Sequence, residues 1–146
     1  MEVETYEERN AREGEGFSAL EGRIVTSVAV NEDQSIMVFE TDGGVIAYET
    51  YGDCCSETWF ADLIGHEALI GKKIDSVEQI DLPEVHDART RQEVDEAYGV
   101  KLKTEWGFCE IVYRNSSNGY YGGSAHRMRE VPTNVEFTSI TGDWSA

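Results

Sequence analysis

Between Val100 and Trp106 the chain alternates strictly, with Val100, Leu102, Thr104 and Trp106 set against Lys101, Lys103 and Glu105. A period of two puts the first set on one face of a β-strand and the second on the other, so the segment demands a sheet with one covered face. Short runs rich in β-branched residues recur from Ile24 to Val30, Ser35 to Glu40 and Val45 to Thr50. The last two are joined by Asp42-Gly43-Gly44, where glycine supplies the positive φ of a tight hairpin, and together the runs predict a three-strand meander. Further strands are predicted from Lys73 to Leu82, with Pro83 as the stop, from Phe108 to Arg114, and from Tyr120 to His126.

Two segments read as helical. Ser56 is a candidate N-cap, and Trp59, Phe60, Leu63 and Ile64 recur at helical spacing, with Gly65 as the C′ residue. Residues 84–99 read as a loop with one short helix, turning Val94, Ala97 and Tyr98 inward and stopping at Gly99. The expected fold class is therefore α+β, mainly β: an antiparallel meander sheet with one or two short helices.

The chain also resembles itself. Ala19-Leu20-Glu21-Gly22-Arg23-Ile24-Val25-Thr26-Ser27-Val28 matches Ala68-Leu69-Ile70-Gly71-Lys72-Lys73-Ile74-Asp75-Ser76-Val77 at a spacing of 49 residues. Thr41-Asp42-Gly43-Gly44-Val45 is echoed by Thr104-Glu105-Trp106-Gly107-Phe108. These echoes suggest two pseudo-repeated meanders, which would make Gly52-Asp53-Cys54-Cys55-Ser56 equivalent to Asn115-Ser116-Ser117-Asn118-Gly119.

Length, at 146 residues, suits one domain. Residues 1–16, with six glutamates and few apolar groups, read as a flexible acidic arm ahead of a β-rich domain over 17–146. There is no run of 18 apolar residues and no basic, apolar start, so a cytoplasmic location is expected, with no membrane partner. Three cysteines, two of them adjacent, suit a reducing compartment better than a disulfide framework. No metal or cofactor is predicted, because Cys-x-x-Cys is absent and His66, His86 and His126 are scattered.

Twelve basic residues against 29 acidic ones give a net charge of −17, which opposes direct binding to nucleic acid and favours basic partners. Residues 100–130 are the exception, with five cations against three glutamates. That stretch contains Arg114-Asn115-Ser116-Ser117-Asn118-Gly119-Tyr120-Tyr121-Gly122-Gly123, which is equally good hairpin-turn sequence and a concentrated set of hydrogen-bonding groups. As a ligand site, it would use Arg114, Arg127 and Arg129 on phosphate, Tyr120, Tyr121 or Trp106 to stack on a base, and Asn115, Ser116 and Asn118 on ribose or base edges. Asp53 and Cys54, at the equivalent point of the first repeat, complete the candidate contacts. A thiol before a helix start is activated by the helix dipole, but Asp53 opposes this and no histidine is near in sequence. No catalytic residue is assigned.

The opening Leu-x-Gly-Arg/Lys strand, Tyr51-Gly52-Asp53-Cys54-Cys55-Ser56-x-x-Trp59 and Val112-Tyr113-Arg114 through Gly123 together resemble a group of small uncharacterised proteins of tailed bacteriophages. The resemblance implies a β-rich fold, phage origin and expression inside a bacterial cell, and it brings no activity with it. Small phage accessory proteins are often counter-defence factors, an association of class only. Two functions fit these readings best, with a hydrolase acting on the same nucleotide signal a weaker third for want of an identifiable nucleophile or metal set. The first is non-enzymatic capture of a small anionic or nucleotide-like ligand, such as an immune signal withheld from its effector. The second is an acidic, nucleic-acid-mimicking inhibitor of a host defence protein, using the arm and Asp81, Glu84, Asp87, Glu93, Asp95 and Glu96. Self-association is compatible with both.

Overall fold

Ten strands form among the residues described by the computed structural model, which are 16–52, 55–119 and 122–146. The predicted arm up to residue 15, and Asp53, Cys54, Tyr120 and Tyr121, lie outside them. A 3-10 turn at Gly16–Leu20 precedes β1 (Val25–Asn31), β2 (Ile36–Thr41), β3 (Gly44–Gly52) and β4 (Glu57–Ile64). A one-turn helix α1 (His66–Leu69) precedes β5 (Ser76–Val85), β6 (Val94–Thr104), β7 (Gly107–Ser117) and β8 (Gly123–Arg127), and β9 (Phe137–Ile140) and β10 (Trp144–Ser145) follow. They make two antiparallel five-stranded sheets, β8-β3-β2-β1-β9 and β10-β4-β7-β6-β5. The fold is mainly β, as the alternation required.

One core joins the sheets. Val28, Met37, Phe39, Ile46 and Tyr48 from the first meet Phe60, Leu63, Val100, Leu102, Ile111 and Tyr113 from the second, with Phe17 stacked on Tyr48 at 4.1 Å. Burying large aliphatic and aromatic groups at about 1.5–3 kcal/mol each is the main force holding the layers together.

The repeat is real and reciprocal. Gly22 and Gly71 both take positive φ, 81° and 78°, and Gly22 N–H donates to Ile74 O at 2.7 Å while Gly71 N–H donates to Val25 O at 2.8 Å. Exchanging the two halves maps one bond onto the other. The hairpin tips agree as well, with Gly44 at 118° and Gly107 at 128°, and with Thr41 and Thr104 hydroxyls each accepting from the N–H two residues on at 3.2 Å. After each meander the next strand changes sheets, so that β4 pairs with β7 and β8 pairs with β3. The segments after the two hairpins are accordingly neighbours, with Gly52 opposite Gly123 and Glu57 opposite Ser116.

Three expectations fail locally. The segment read as a helix from Ser56 to Ile64 is β4, and Gly65, expected to close that helix, instead leads into α1 with φ 90°. A register shift between Phe60 and Asp62 lets Phe60 and Leu63 face the core three residues apart, which imitates a helical period. Pro83 does not end β5. It sits inside the strand at a register shift between Leu82 and Val85, on the outermost strand of its sheet, where a missing donor is tolerated. Residues 94–99, expected as loop and helix, are the first half of β6, and only 86–93 form the connection.

Candidate functional site

The outer face of the second sheet is built from alternate residues of three strands. Trp59 and Asp62 of β4, Asp95 and Ala97 of β6, and Val112, Arg114 and Ser116 of β7 point away from the shared core. The β5–β6 connection folds back over them. Arg91 lies 4.1 Å above the Trp59 ring, the backbone N–H groups of Arg91 and Gln92 donate to the Ser116 hydroxyl at 3.1 and 2.7 Å, and Arg89 donates to Asp62 at 2.9 Å. Asp87, Arg89 and Arg91, at alternate positions of Asp87-Ala88-Arg89-Thr90-Arg91, are thus the clamp that covers this face.

Arg114 is its centre. The side chain is 1% exposed, reaches the two Asp87 oxygens at 3.1 and 3.2 Å, and pairs with fully buried Asp95, which also accepts from Ser116. Bidentate geometry matches guanidinium to carboxylate and makes these bonds stronger than neutral ones. The hydrogen bond from Arg114, aided by the Arg89 backbone N–H, holds the Asp87 carboxyl down at about 2. The cluster is not complete within itself, since Arg114 Nε is a buried donor with no acceptor among the described residues. Such an unmade bond costs about 1–3 kcal/mol.

Beside it lies a concavity of about 430 Å³. Leu82, Pro83, Val85, Ala97 and Val112 give it an apolar lining, while Asp62, Glu84, His86, Arg89 and Arg114 bring polar atoms to the rim. Asp62, Asp87 and Asp95 pair with the guanidiniums of Arg89 and Arg114, and Glu84 adds a fourth carboxylate to the lining. Local charge is therefore negative. The seat suits an uncharged, flat, partly apolar group that offers an acceptor, and it disfavours phosphate.

The candidates read from sequence separate on this framework. Arg114 and Ser116 take the outer face, whereas Asn115 is buried on the other side of β7, donating to the Thr58 hydroxyl at 2.8 Å with no donor to its Oδ1 among the described residues. Asn118 is exposed beyond the strand end, and its region serves the crossover between sheets. A Cβ at Gly123 would lie 2.5 Å from Thr58 Oγ1, and one at Gly52 would lie 2.8 Å from the same atom, so both glycines are required by strand approach. Arg127 is half-buried on β8 opposite Tyr48, Arg129 is exposed beyond it, and Trp106 stands at the far end of β7 in the β6–β7 turn. Asp53, Cys54, Tyr120 and Tyr121 lie outside the described residues. Two carboxylates proposed for a mimicking surface, Asp87 and Asp95, are taken up by Arg114.

Sequence reasoning missed Asp62, Leu82, Val85, Arg89, Ala97 and Val112. The signal available was the tryptophan of the Asp-Cys-Cys-Ser-x-x-Trp motif, whose burial away from the main core requires a cover. Cys109 is buried in the core, and burial pushes its thiol up to about 12, which makes it chemically inert. No group of three or more ligating side chains able to hold a metal occurs among the described residues, and no helix there is long and apolar enough to cross a membrane.

Residues 18–126 match DUF7448, a domain of unknown function. The matched span contains both repeats and the whole clamp. Uncharacterized protein L278 of Acanthamoeba polyphaga mimivirus is 33% identical over 108 residues, covering 68% of this chain and 82% of that protein. No solved structure matches the chain.

Proposed function

Because the chain belongs to the DUF7448 family and is similar to an uncharacterized viral protein, we propose that it is a non-enzymatic viral accessory protein that captures a small ligand in the concavity beside Arg114. The observation that carries this reading is that Arg114, which lines this largely apolar hollow, has a buried Nε–H with no acceptor among the described residues. A nucleoside or nucleotide would enter by its base, with a ring nitrogen or carbonyl taking that proton. A phosphate would stay outside, because the carboxylates outnumber the cations. Withholding an immune signal from a host effector in the infected cell's cytoplasm is the use we assign to such capture. The order of roles expected from sequence changes accordingly: Arg114 meets a base edge instead of a phosphate.

The test is mass spectrometry of small molecules released by denaturing the protein after purification from infected cells. Wild type should release an ultraviolet-absorbing ligand, and Leu82→Trp, which fills the hollow from the outermost strand, should release less than a tenth as much, about 1.4 kcal/mol of binding. Equal release from both, or none from wild type, would reject the site.

A second reading has its own support. Glu78, Asp81 and Glu84 lie exposed along β5, and Arg89, Arg91 and Arg114 all have carboxylate partners, so the outside of this sheet edge presents acid. An inhibitor that occupies a basic groove through this edge would lose affinity steeply between low and physiological salt. Capture in the hollow would change little over that range.

A further inference from the structure

We propose that the outer edge of β5 takes up an extended, lysine- or arginine-rich segment of a partner protein as an added antiparallel strand. This rests on the reading that the acidic edge meets a basic partner, and it names how that partner is held. β5 ends its sheet, so alternate residues turn backbone N–H and C=O groups outward with no partner strand among the described residues.

The internal repeat shows that a strand fits there. Exchanging the halves lays β5 on β1 in one register, because Val28, Ala29 and Val30 lie opposite Phe39, Val38 and Met37 as Val77, Glu78 and Gln79 lie opposite Leu102, Lys101 and Val100. On its other side β1 is paired with β9, with Val28 opposite Ile140, Ala29 opposite Ser139, Val30 opposite Thr138 and Asn31 opposite Phe137. The equivalent side of β5, along Val77, Glu78, Gln79 and Ile80, has no such strand among the described residues. Burial follows the difference. Val28, Val30 and Asn31 are buried beside β9, whereas Val77 and Ile80 are only half-buried and Gln79 is exposed. Pairing with β6 is unbroken from Ser76 to Leu82, and the register shift at Pro83 comes only after it, so a regular edge is presented along that stretch.

Charge names the occupant. Asp75, Glu78, Asp81 and Glu84 are all exposed, and residues 75–85 contain no lysine or arginine. The cations around them are few. His86 pairs with Glu84 at 2.7 Å, Lys73 precedes Asp75 at a bridge to Ile24, and Lys101 and Lys103 lie one strand further in, Lys101 between Glu78 and Glu110. Glu96, on the same inner strand, adds a carboxylate that accepts from the Tyr98 hydroxyl. Like charges placed opposite one another destabilise a strand pair. Residues 1–15, with six glutamates against two arginines, and a second copy of net charge −17 would both set carboxylate against carboxylate. A cationic strand gains at the same positions: its lysines meet Glu78 and Asp81, and an apolar residue stands opposite Ile80 as Phe137 stands opposite Asn31.

Fluorescence anisotropy of the full chain with a labelled, end-blocked peptide, Thr-Lys-Val-Thr-Lys-Val-Thr-Lys, tests this. Its lysines fall opposite Asp81, Glu78 and Asp75 when it runs antiparallel to β5. Half-saturation should come below about 200 µM protein in about 0.05 M NaCl and shift upward with added salt. A fully N-methylated peptide keeps the charge and loses every backbone donor, and it should bind at least about tenfold more weakly, as should the peptide with glutamate for lysine. Glu78→Lys and Asp81→Lys, both at exposed positions, should each weaken binding at least about fivefold without lowering the melting temperature, and Glu136→Lys, away from this edge, should not. Equal binding of the methylated peptide would overturn strand addition while leaving an edge that attracts cations, and no binding of the lysine peptide would overturn both. Exchange of β5 amides that slows in the free chain as protein concentration rises would put a second copy at the edge and overturn the proposal as well.

Discussion

Arg114 carries a positive charge into a place from which water is excluded, and Asp95 and Asp87 meet it there from two different elements. Removing the guanidinium leaves Asp95 buried without its partner, so Arg114→Met should cost about 3–5 kcal/mol in chemical denaturation. From sequence, Arg114 reads as a candidate phosphate contact, because nothing local announces that a carboxylate 19 residues upstream will lie beneath it. Asp87 adds a dependence on pH. Its pKa falls from 3.8 to about 2 on folding, so the folded state binds fewer protons between those values and the contribution is complete above about pH 4. Melting temperature should fall from pH 4 towards pH 2, and the slope over that window should be smaller in Asp87→Asn. An unchanged slope would mean that the clamp is open in solution.

At the scale of elements, the crossover between sheets sets the tightest tolerances. Ala at Gly123 must displace Thr58 and Asn115, at 2.5 and 2.9 Å, and should destabilise the protein by about 1–3 kcal/mol, whereas Gly142→Ala has nothing within 4 Å and should be neutral by the same denaturation measurement. Gly123 is therefore legible twice over: it reads as a turn former, and its structural use is to let β8 pass close to β4 and β7. The end of β6, with one buried face, could be read from period alone, and β1 to β3 from their β-branched runs and turn glycines. The start of β6 could not, because the clamp buries Asp95 and Ala97 on its outer face while Tyr98 packs inward, and burial on both faces erases alternation. In β4 the register shift at Phe60 replaced a period of two with a spacing of three.

The whole molecule is two copies of one meander exchanging their fourth strands, and what differs between the copies is where function should be sought. The outer face of the first sheet is covered by apolar contacts, with Ile36, Val38 and Ala47 under Met128, Val131 and Phe137, while that of the second is covered by arginines and carboxylates beside a hollow. The duplication was visible in two short echoes. The difference between the covers was not, because it depends on pairings across 24 to 27 residues that no local pattern encodes. A net charge of −17 also acts at this scale: self-repulsion should make the fold more stable as salt is added, a rise in melting temperature readable by calorimetry. Ligand capture itself can be read at one proton, the Nε–H of Arg114, assigned in a nitrogen–proton correlation spectrum by its loss in Arg114→Lys. Adding a small-molecule extract of infected cells should move that resonance downfield as it gains an acceptor. An Arg114 signal that stays in place while those of Arg127 and Arg129 shift would put the ligand elsewhere.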